Sequence, residues 1–463
     1  MTKPREIFFN TVAQVGGKIA VALLAVVSVK ILTGFFGRAG YGQYATIFEF
    51  LAFFGAIADL GLFSICVREG SKTNLEKREK IFQNTLTLRA ISIFTGMAFA
   101  VGAAFLIPNF RESWIAGGML AAAVGVGAQI AAGTVSAILQ IEMKMGRFAG
   151  ALVFGKIIST FLIFAIAKFW FLVPDEKSFI AAIWAATAGS IATFLLAAIF
   201  AGKFAPLKFK FEKKLAGKIL REAAPFGFAL ILGTIYFKLD IILFSFLLPS
   251  SVGEFCPQKF CAQTEAGSYA VAVRMFEVLI LFPIFFSNSL LPLLSKVFAE
   301  RNRKKLHRIL QKSWEIVVAA GAAISVGAAV LAAPIAKLIS HEKFLSDPIL
   351  GEFGADTALQ ILSVAVFCTF GATFFGFVLI AGGAQKKLLK INFAAVLFNF
   401  AANLWAIPKW GLLGAAATSG ASEILILIFT SAAVRKISGW KMRAEKIWRI
   451  FFAVVLMGIS AKI

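Results

Sequence analysis

Charged residues inside long apolar segments are the groups in this sequence best placed to do chemistry. We single out ten of them: Lys18, Lys30, Glu49, Asp59, Lys156, Lys238, Asp240, Arg274, Glu277 and Glu423. An ionisable side chain in hydrocarbon is costly unless it faces a partner or a wet cavity. Because Lys18, Lys238 and Arg274 outnumber the acids placed to neutralise them, the set predicts a ligand that carries phosphate or carboxylate.

The acids of this set have two possible roles. Asp59 and Asp240 either couple to an ion or order a helix, and Lys238 lies two residues from Asp240, on nearly the opposite side of the same helix. For any single charge, an ion pair or hydrogen bond that only holds the helices together is an equally good explanation. Arg274 and Glu277 lie near the membrane midplane, where either role is available.

A repeated motif relates the two halves of the chain. Residues 42–45 read GQYA and residues 267–270 read GSYA, each at the start of a long apolar segment. The simplest interpretation is two similar halves of one membrane protein. The same alignment makes Glu49 equivalent to Arg274, so these opposite charges either pair between the halves or face the same cavity.

Amide side chains form a stripe in the eleventh apolar segment. Asn392, Asn399 and Asn403 are spaced i, i+7 and i+11, which places them on one face of a helix. They either contact the hydroxyl groups of a sugar or bond to a neighbouring helix, and the sequence leaves both open.

Cysteine and histidine residues give little sign of a metal or cofactor site. Cys256 and Cys261 share one exterior loop, where they either form a disulfide or remain free thiols. The two histidines, His307 and His341, fall in loops on opposite sides, so no zinc site is expected. The sequence contains no GxxxxGK[ST], HExxH or GxSxG motif, which argues against an ATPase or a hydrolase and predicts no cofactor.

Composition and charge indicate a polytopic membrane protein. The chain has 463 residues, of which 59% are hydrophobic and 51 are Phe, and a mean hydropathy of +0.85. Its net charge of +23 is not concentrated on one soluble face but falls in alternate loops between apolar segments, which argues against a nucleic-acid partner.

Twelve apolar segments, each about long enough to cross a bilayer, divide into two sets of six. The predicted spans are 7–36, 41–66, 82–107, 113–140, 147–172, 178–202, 219–248, 266–296, 309–338, 355–380, 388–408 and 411–434. Basic residues concentrate at the N-terminus and in the even-numbered loops, so the positive-inside rule places the N-terminus in the cytoplasm of a multi-pass plasma-membrane protein.

The same segments predict the domain boundaries. A first six-helix bundle covers 1–202, a second covers 219–434, and a basic linker at 203–218 joins them. The linker alternates lysine and phenylalanine, which indicates either a segment lying on an anionic leaflet or the positive-inside pattern alone. Residues 435–463 form a basic segment and a short apolar tail, and 447–463 is either a marginal thirteenth span or an interfacial helix.

Three blocks of sequence resemble the polysaccharide biosynthesis flippases, the Wzx-type family of the multidrug/oligosaccharidyl-lipid/polysaccharide exporter superfamily. The blocks are Asn10 with GRAGYGQY at 37–44, DLGL at 59–62 and Arg68-Glu69; Asp240 with GSYAVAVRMFEVLILFP at 267–283, Leu291-Pro292 and Ser295; and Gly383, Gln385, Asn392, Asn399, Ile407-Pro408, Gly411 and Gly414-Ala415. The resemblance covers nearly the whole chain to about residue 434. Glu49 departs from the pattern, since a basic group is expected in the second helix.

The resemblance implies an all-α membrane fold of two six-helix bundles related by a pseudo-twofold axis, plus a short C-terminal helix. It also implies a non-enzymatic activity, the movement of a polyprenyl-diphosphate-linked oligosaccharide across the membrane by alternating access. Expected partners are that lipid-linked oligosaccharide, membrane lipids, and the glycan polymerase and glycosyltransferases of the same pathway. Two alternatives remain open: a drug or cation exporter of the same superfamily, and a membrane enzyme that polymerises or ligates glycans.

Overall fold

The structure is a computed structural model that describes residues 4–71, 73–111, 113–250, 260–347, 349, 351–440, 448, 453–454, 456–458 and 460. Within these ranges it describes the backbone but not the side chains of residues 4–9, 11, 224–226 and 228–237. Most of the apolar tail at 447–463 falls outside the description, so its placement stays a prediction.

The described part of the chain is almost entirely helical. In order, the helices are α1 (Pro4–Asp59), α2 (Leu62–Gly70), α3 (Leu75–Ala104), α4 (Pro108–Arg111), α5 (Ile115–Ile141), α6 (Met145–Ala165), α7 (Glu176–Gly202), α8 (Lys213–Leu247), α9 (Ala262–Leu279), α10 (Leu281–Ala299), α11 (Arg303–Val330), α12 (Ala332–Ile339), α13 (Ala355–Ala381) and α14 (Gln385–Ser438). A π-helical turn at Ile166–Trp170 extends α6. Nine helices in the described ranges are long and apolar enough to cross a membrane, and the predicted all-α membrane fold is confirmed.

Glycines break the two longest helices where the sequence predicts turns between spans. In α1 the break is at Gly37, with φ 69° and ψ −170°, and in α14 it is at Gly411, with φ 53° and ψ −131°. Glycine adopts a positive φ at little cost, so the chain is able to leave the helical conformation at these two positions. Each break falls at the boundary between two consecutive predicted spans. Three further interruptions were not predicted: one between α1 and α2, one at Ile280 between α9 and α10, and one at Leu331 between α11 and α12.

The chain divides into two compact units. The first contains residues 1–234 and 249–257, and the second contains 235–248 and 258–463. Their boundary therefore falls inside helix α8, whereas the sequence placed the joint in the linker at 203–218. The physical reason is that the first part of α8 packs on α2 and α3: buried Ile219 and Ala223 form one apolar cluster with Leu62, Ile65 and Ile81.

Small residues allow the helices of the first unit to approach closely. Gly155 on α6 lies against the Gly189 backbone on α7, where an added Cβ would meet the Gly189 carbonyl oxygen at 2.3 Å. On the other side of α7, the Thr187 hydroxyl donates to the carbonyl of Ala121 at 2.8 Å. Between apolar helices in lipid, such packing and interhelical hydrogen bonds replace the hydrophobic drive available in water.

Candidate functional site

The second unit holds a buried acid surrounded by neutral hydrogen-bond donors. On α8, Asp240 accepts hydrogen bonds from the hydroxyls of Tyr269 and Ser419, both at Oδ2, over 2.6 and 2.5 Å, and from the amide of Asn403 at Oδ1 over 2.7 Å. All four residues are fully buried. We call Asp240, Tyr269, Asn399, Asn403, Thr418 and Ser419 the Asp240 cluster.

The rest of the cluster supports Asn403. Its amide nitrogen also donates to Oδ1 of Asn399 at 3.1 Å, and the Thr418 hydroxyl donates to its Oδ1 at 2.5 Å. In the described part of the chain, Nδ2 of Asn399 is buried and makes no hydrogen bond of ordinary geometry.

Four helical segments build this cluster. α8 supplies Asp240, α9 supplies Tyr269, and the two parts of α14 on either side of the Gly411 break supply the two asparagines and the Thr418-Ser419 pair. A carboxylate of Glu265 on α9 accepts from the backbone N–H of Leu412 at 2.6 Å and so caps the start of the second part of α14. The break is therefore what brings Ser419 back alongside Asn403.

The donors around Asp240 carry no formal charge. Within the described residues, each hydrogen bond of Asp240 is with a hydroxyl or an amide, and none is with a lysine or arginine. Lys238, two residues earlier, is half-buried, while Asp240 is fully buried, as expected for neighbours on different sides of α8. Asp240 is thus a buried acid whose negative charge, when present, is stabilised only by dipoles.

The first unit stabilises a half-buried acid differently. Asp59, the last residue of α1, forms an ion pair with Arg89 of α3, which is 5% exposed. Nε and Nη1 of Arg89 are buried and have no hydrogen-bond partner among the residues that the structure describes. The sequence analysis missed Arg89, although it lies inside the predicted span 82–107, and an arginine within an apolar segment was the signal that could have found it.

The Asp59–Arg89 pair lies next to the interruption between α1 and α2. Leu60 and Gly61 have φ values of 40° and 74°, and their backbone touches Gly227 of α8. A Cβ on Gly227 would lie 2.2 Å from the carbonyl carbon of Leu60, so only glycine fits there. Nearby, Arg68 pairs with Glu222 of α8 at 2.6 Å. These contacts attach the first part of α8 to the interrupted helix.

The predicted cations differ in environment. Lys18 is exposed on α1, and Arg274 pairs with Glu277 of the same helix at 2.7 Å, with the two side chains 40% and 44% exposed. The sequence argument counted Arg274 within a surplus of cations; in the structure it pairs with Glu277, because i and i+3 side chains share a helix face. Glu49 is buried in the first unit.

The amide stripe is divided by the structure. Asn399 and Asn403 are fully buried in the Asp240 cluster, whereas Asn392 is half-buried two turns earlier and outside the cluster. Tyr269, Thr418 and Ser419 had no assigned role. Tyr269 belongs to the repeated GSYA motif, and the segment around Ser419 was interpreted as packing alone.

Asn10 has a structural role within the first unit. Its side-chain amide donates to the carbonyl of Met143 and its Oδ1 accepts from the N–H of Gly146 at 3.2 Å. It therefore ties the start of α1 to the turn between α5 and α6, where Met143 has φ 55°.

The cysteines are placed as follows. Cys261 is disulfide-bonded at the start of α9, while Cys66 and Cys368 are free, buried thiols. Cys256 lies outside the described residues. Among the residues that the structure describes, no three His, Cys, Asp or Glu side chains come together in a way that could hold a metal ion.

The sequence is similar to two protein families and to two curated relatives. The sequence matches the family described as "Polysaccharide biosynthesis protein" over residues 7–298, more than half of the chain, and the MatE family over residues 259–405. Two curated relatives, each a "Probable lipid II flippase MurJ" of a Helicobacter pylori strain, are 27% identical over 179 residues. That aligned region covers 37% of this chain and 37% of the length of those relatives.

Solved structures share the fold. A lipid II flippase MurJ in an inward closed conformation superposes with a TM-score of 0.75 at 16% identity, covering 98% of this chain and 92% of that one. An inward-facing multidrug resistance MATE family transporter of the MOP superfamily gives 0.72 at 15% identity, covering 90% and 94%. A MOP superfamily transporter from Pyrococcus furiosus gives 0.60 at 15% identity, covering 93% and 96%.

Proposed function

Because this chain belongs to the polysaccharide biosynthesis protein family, we propose that it is a flippase that moves a polyprenyl-diphosphate-linked oligosaccharide across the plasma membrane by alternating access. The observation that carries the proposal is the family match over residues 7–298, supported by the similarity to a probable lipid II flippase. The chain is a multi-pass membrane protein, and the positive-inside pattern supports a cytoplasmic N-terminus. Enzymes that build the glycan are its proposed partners.

We assign the diphosphate to cations that retain access to water. Lys18 is exposed and Lys238 and Arg274 are half-buried, so each unit presents positive charge that a headgroup is able to reach. Arg274 is engaged by Glu277 at 2.7 Å, and this pair is half-exposed. An incoming phosphate forms charge-assisted hydrogen bonds with a guanidinium at least as good as those of a carboxylate. Glu277 then acts as the counter-ion that the substrate replaces.

Asp240 is the acid that we propose couples transport to a cation, either a proton or a small metal ion. Among the described residues, hydroxyl and amide groups donate to its carboxylate, and these same groups supply oxygen atoms that suit a hard cation. Asp59, in contrast, is neutralised by Arg89, and we propose that it orders the helix interruption. Asn399 and Asn403 are assigned to the Asp240 cluster in place of the expected sugar contacts, because they are fully buried; Asn392 keeps the sugar-contact proposal.

The test is export of lipid-linked glycan in cells that carry Arg274→Ala or Lys238→Ala. We expect export to fall in both, because each substitution removes one of the three cations assigned to the diphosphate. Lys304→Ala is the matched control, since Lys304 is exposed at the start of α11 in the second unit and has no proposed role. Normal expression with full export in both test variants would overturn the assignment of these cations.

A second candidate is an exporter of lipophilic cations, favoured by the MatE match over residues 259–405. The two functions demand opposite charge at the binding site, since an exposed cation such as Lys18 repels a cationic drug. Competition of a lipophilic cation and a lipid diphosphate for the purified protein discriminates between them. Binding of the cation alone would favour the exporter.

A further inference from the structure

Residues 203–212, which connect α7 to α8, form a segment that we call the connecting strap. It connects α7, which is long and apolar enough to cross a membrane, to α8, which contains the predicted span 219–248, so we place it at the membrane surface. Its exposed basic and aromatic side chains are those of Lys203, Lys208, Phe209, Lys210 and Phe211. The exposed fractions of Phe209 and Phe211 are 67% and 58%, so the described part of the protein leaves most of each side chain uncovered.

The backbone of the strap is fixed, so this exposure is a property of the fold. The Thr87 hydroxyl donates to the carbonyl of Lys210 at 2.8 Å, and the Asn84 side chain accepts from the N–H of Glu212 at 2.7 Å. Both come from α3. These bonds hold one edge of the strap against the first unit and leave the four side chains from Lys208 to Phe211 projecting away from it.

The first part of the strap shows what a covered ring looks like in the same segment. Phe204 packs on the apolar cluster around Cys66 and Val135, and the guanidinium of Arg147 lies 5.2 Å from its ring centroid. Phe209, five residues later, has no such cover among the residues that the structure describes. The difference means that the protein itself buries one aromatic ring of the strap and leaves the others for another apolar phase.

The charges identify that phase. No carboxylate pairs with Lys208 or Lys210 in the described ranges, and Glu212 is the one acid of the strap. Lysines at a membrane surface are attracted to anionic headgroups by about 1 kcal/mol each, while rings insert at the headgroup–acyl boundary. We propose that the connecting strap binds the anionic headgroups of phospholipids through Lys208 and Lys210 and inserts Phe209 and Phe211 between them.

The experiment places a fluorescent reporter on each ring position. Phe209→Trp and, as the matched control, Phe204→Trp are made in the full chain and reconstituted in phosphatidylcholine vesicles that contain brominated phosphatidylglycerol or brominated phosphatidylcholine, which quench nearby tryptophan. The signal of the eight native tryptophans is subtracted with the parent protein. We expect the indole introduced at position 209 to be quenched strongly and more by the anionic lipid, and the indole introduced at position 204 to be quenched weakly by both.

Removing the charges tests the headgroup preference. Lys208→Gln with Lys210→Gln in the Phe209→Trp background should lower the phosphatidylglycerol preference by about fivefold per lysine, the equivalent of about 1 kcal/mol each. Arg303→Gln with Lys304→Gln, exposed residues of the second unit, should leave it unchanged. Raising the salt concentration should reduce the phosphatidylglycerol preference of the Phe209→Trp protein in which Lys208 and Lys210 are unchanged. This measurement tests the same charges if the double variant fails to fold. Equal quenching at positions 204 and 209, or equal quenching by the two lipids, would overturn the proposal.

Discussion

Asp59 in the first unit and Asp240 in the second are both acids inside membrane-spanning helices, and the protein stabilises them in different ways. Asp59 faces the guanidinium of Arg89, whereas Asp240 faces two hydroxyls and an amide. In an ion pair the two charges compensate each other, so the acid needs no proton or further cation to balance its charge. A buried acid that accepts hydrogen bonds from neutral groups has no full counter-charge, so a proton or a cation is able to neutralise it. We therefore propose that the first acid supports structure and the second supports coupling.

The arrangement around each acid agrees with this division. Arg89 lies beside Leu60 and Gly61, the interruption between α1 and α2 that contacts α8 at Gly227. The ion pair therefore stabilises the positive φ angles of these two residues. The Asp240 cluster spans α8, α9 and both parts of α14, so a change in the charge of one carboxyl reaches three helices of the second unit.

Asp240→Ala should have the largest effect. It leaves Tyr269, Ser419 and Asn403 without their acceptor, at about 1–3 kcal/mol for each donor that stays unpaired, and it removes the proposed coupling group. We expect a lower thermal midpoint together with loss of gradient-dependent export. Asp240→Asn is nearly the same size, so it should recover part of the stability but not the export. Full export by the Asn variant would refute a coupling role.

Arg89→Met should follow, because it strands the Asp59 carboxylate inside the first unit. Removing one partner of a buried ion pair costs about 3–5 kcal/mol, and the lower end applies because Asp59 is 29% exposed. The double variant Arg89→Met with Asp59→Asn should be more stable than Arg89→Met alone, as measured by denaturation in detergent. If the single and double variants were equally stable, the pair would not act as a unit.

Gly227→Ala should destabilise the first unit by about 1–3 kcal/mol, because its Cβ would overlap the Leu60 carbonyl group at 2.2 Å. The same helix provides the control: a Cβ on Gly217 meets nothing within 4 Å, so Gly217→Ala should be neutral or stabilising by up to about 1 kcal/mol. Similar thermal midpoints for the two variants would contradict the close contact between α8 and the interruption.

Glu277→Gln should have the smallest effect on stability, about 0.2–1 kcal/mol, since its pair with Arg274 is half-exposed. Its effect on substrate binding is the more informative measurement. If Glu277 is the counter-ion that the diphosphate displaces, the Gln variant should bind a lipid diphosphate more tightly than the parent protein does. Weaker binding would instead indicate that Glu277 holds Arg274 in position.

Much of the fold could be predicted from the sequence, and the site could be predicted in part. Apolar length, the boundaries between predicted spans at 36–41 and 408–411, and the resemblance in three blocks led to the confirmed all-α fold, because each of these signals is local. Asp59 and Asp240 were singled out by type, since an acid in an apolar segment is conspicuous. Their partners Tyr269 and Ser419 were missed because a hydroxyl acquires meaning only beside the acid that it contacts, whereas Arg89 was missed although an arginine within an apolar segment is itself a signal.

The sequence by itself determined that this chain crosses the membrane many times, and which charges it carries into the hydrocarbon. The reason is that an exposed backbone group or a bare charge in lipid is unfavourable residue by residue. The tertiary structure alone decided which acid receives a counter-charge and which receives only dipoles. That choice depends on helices far apart in the chain, such as α8 and α14, meeting at one carboxyl group.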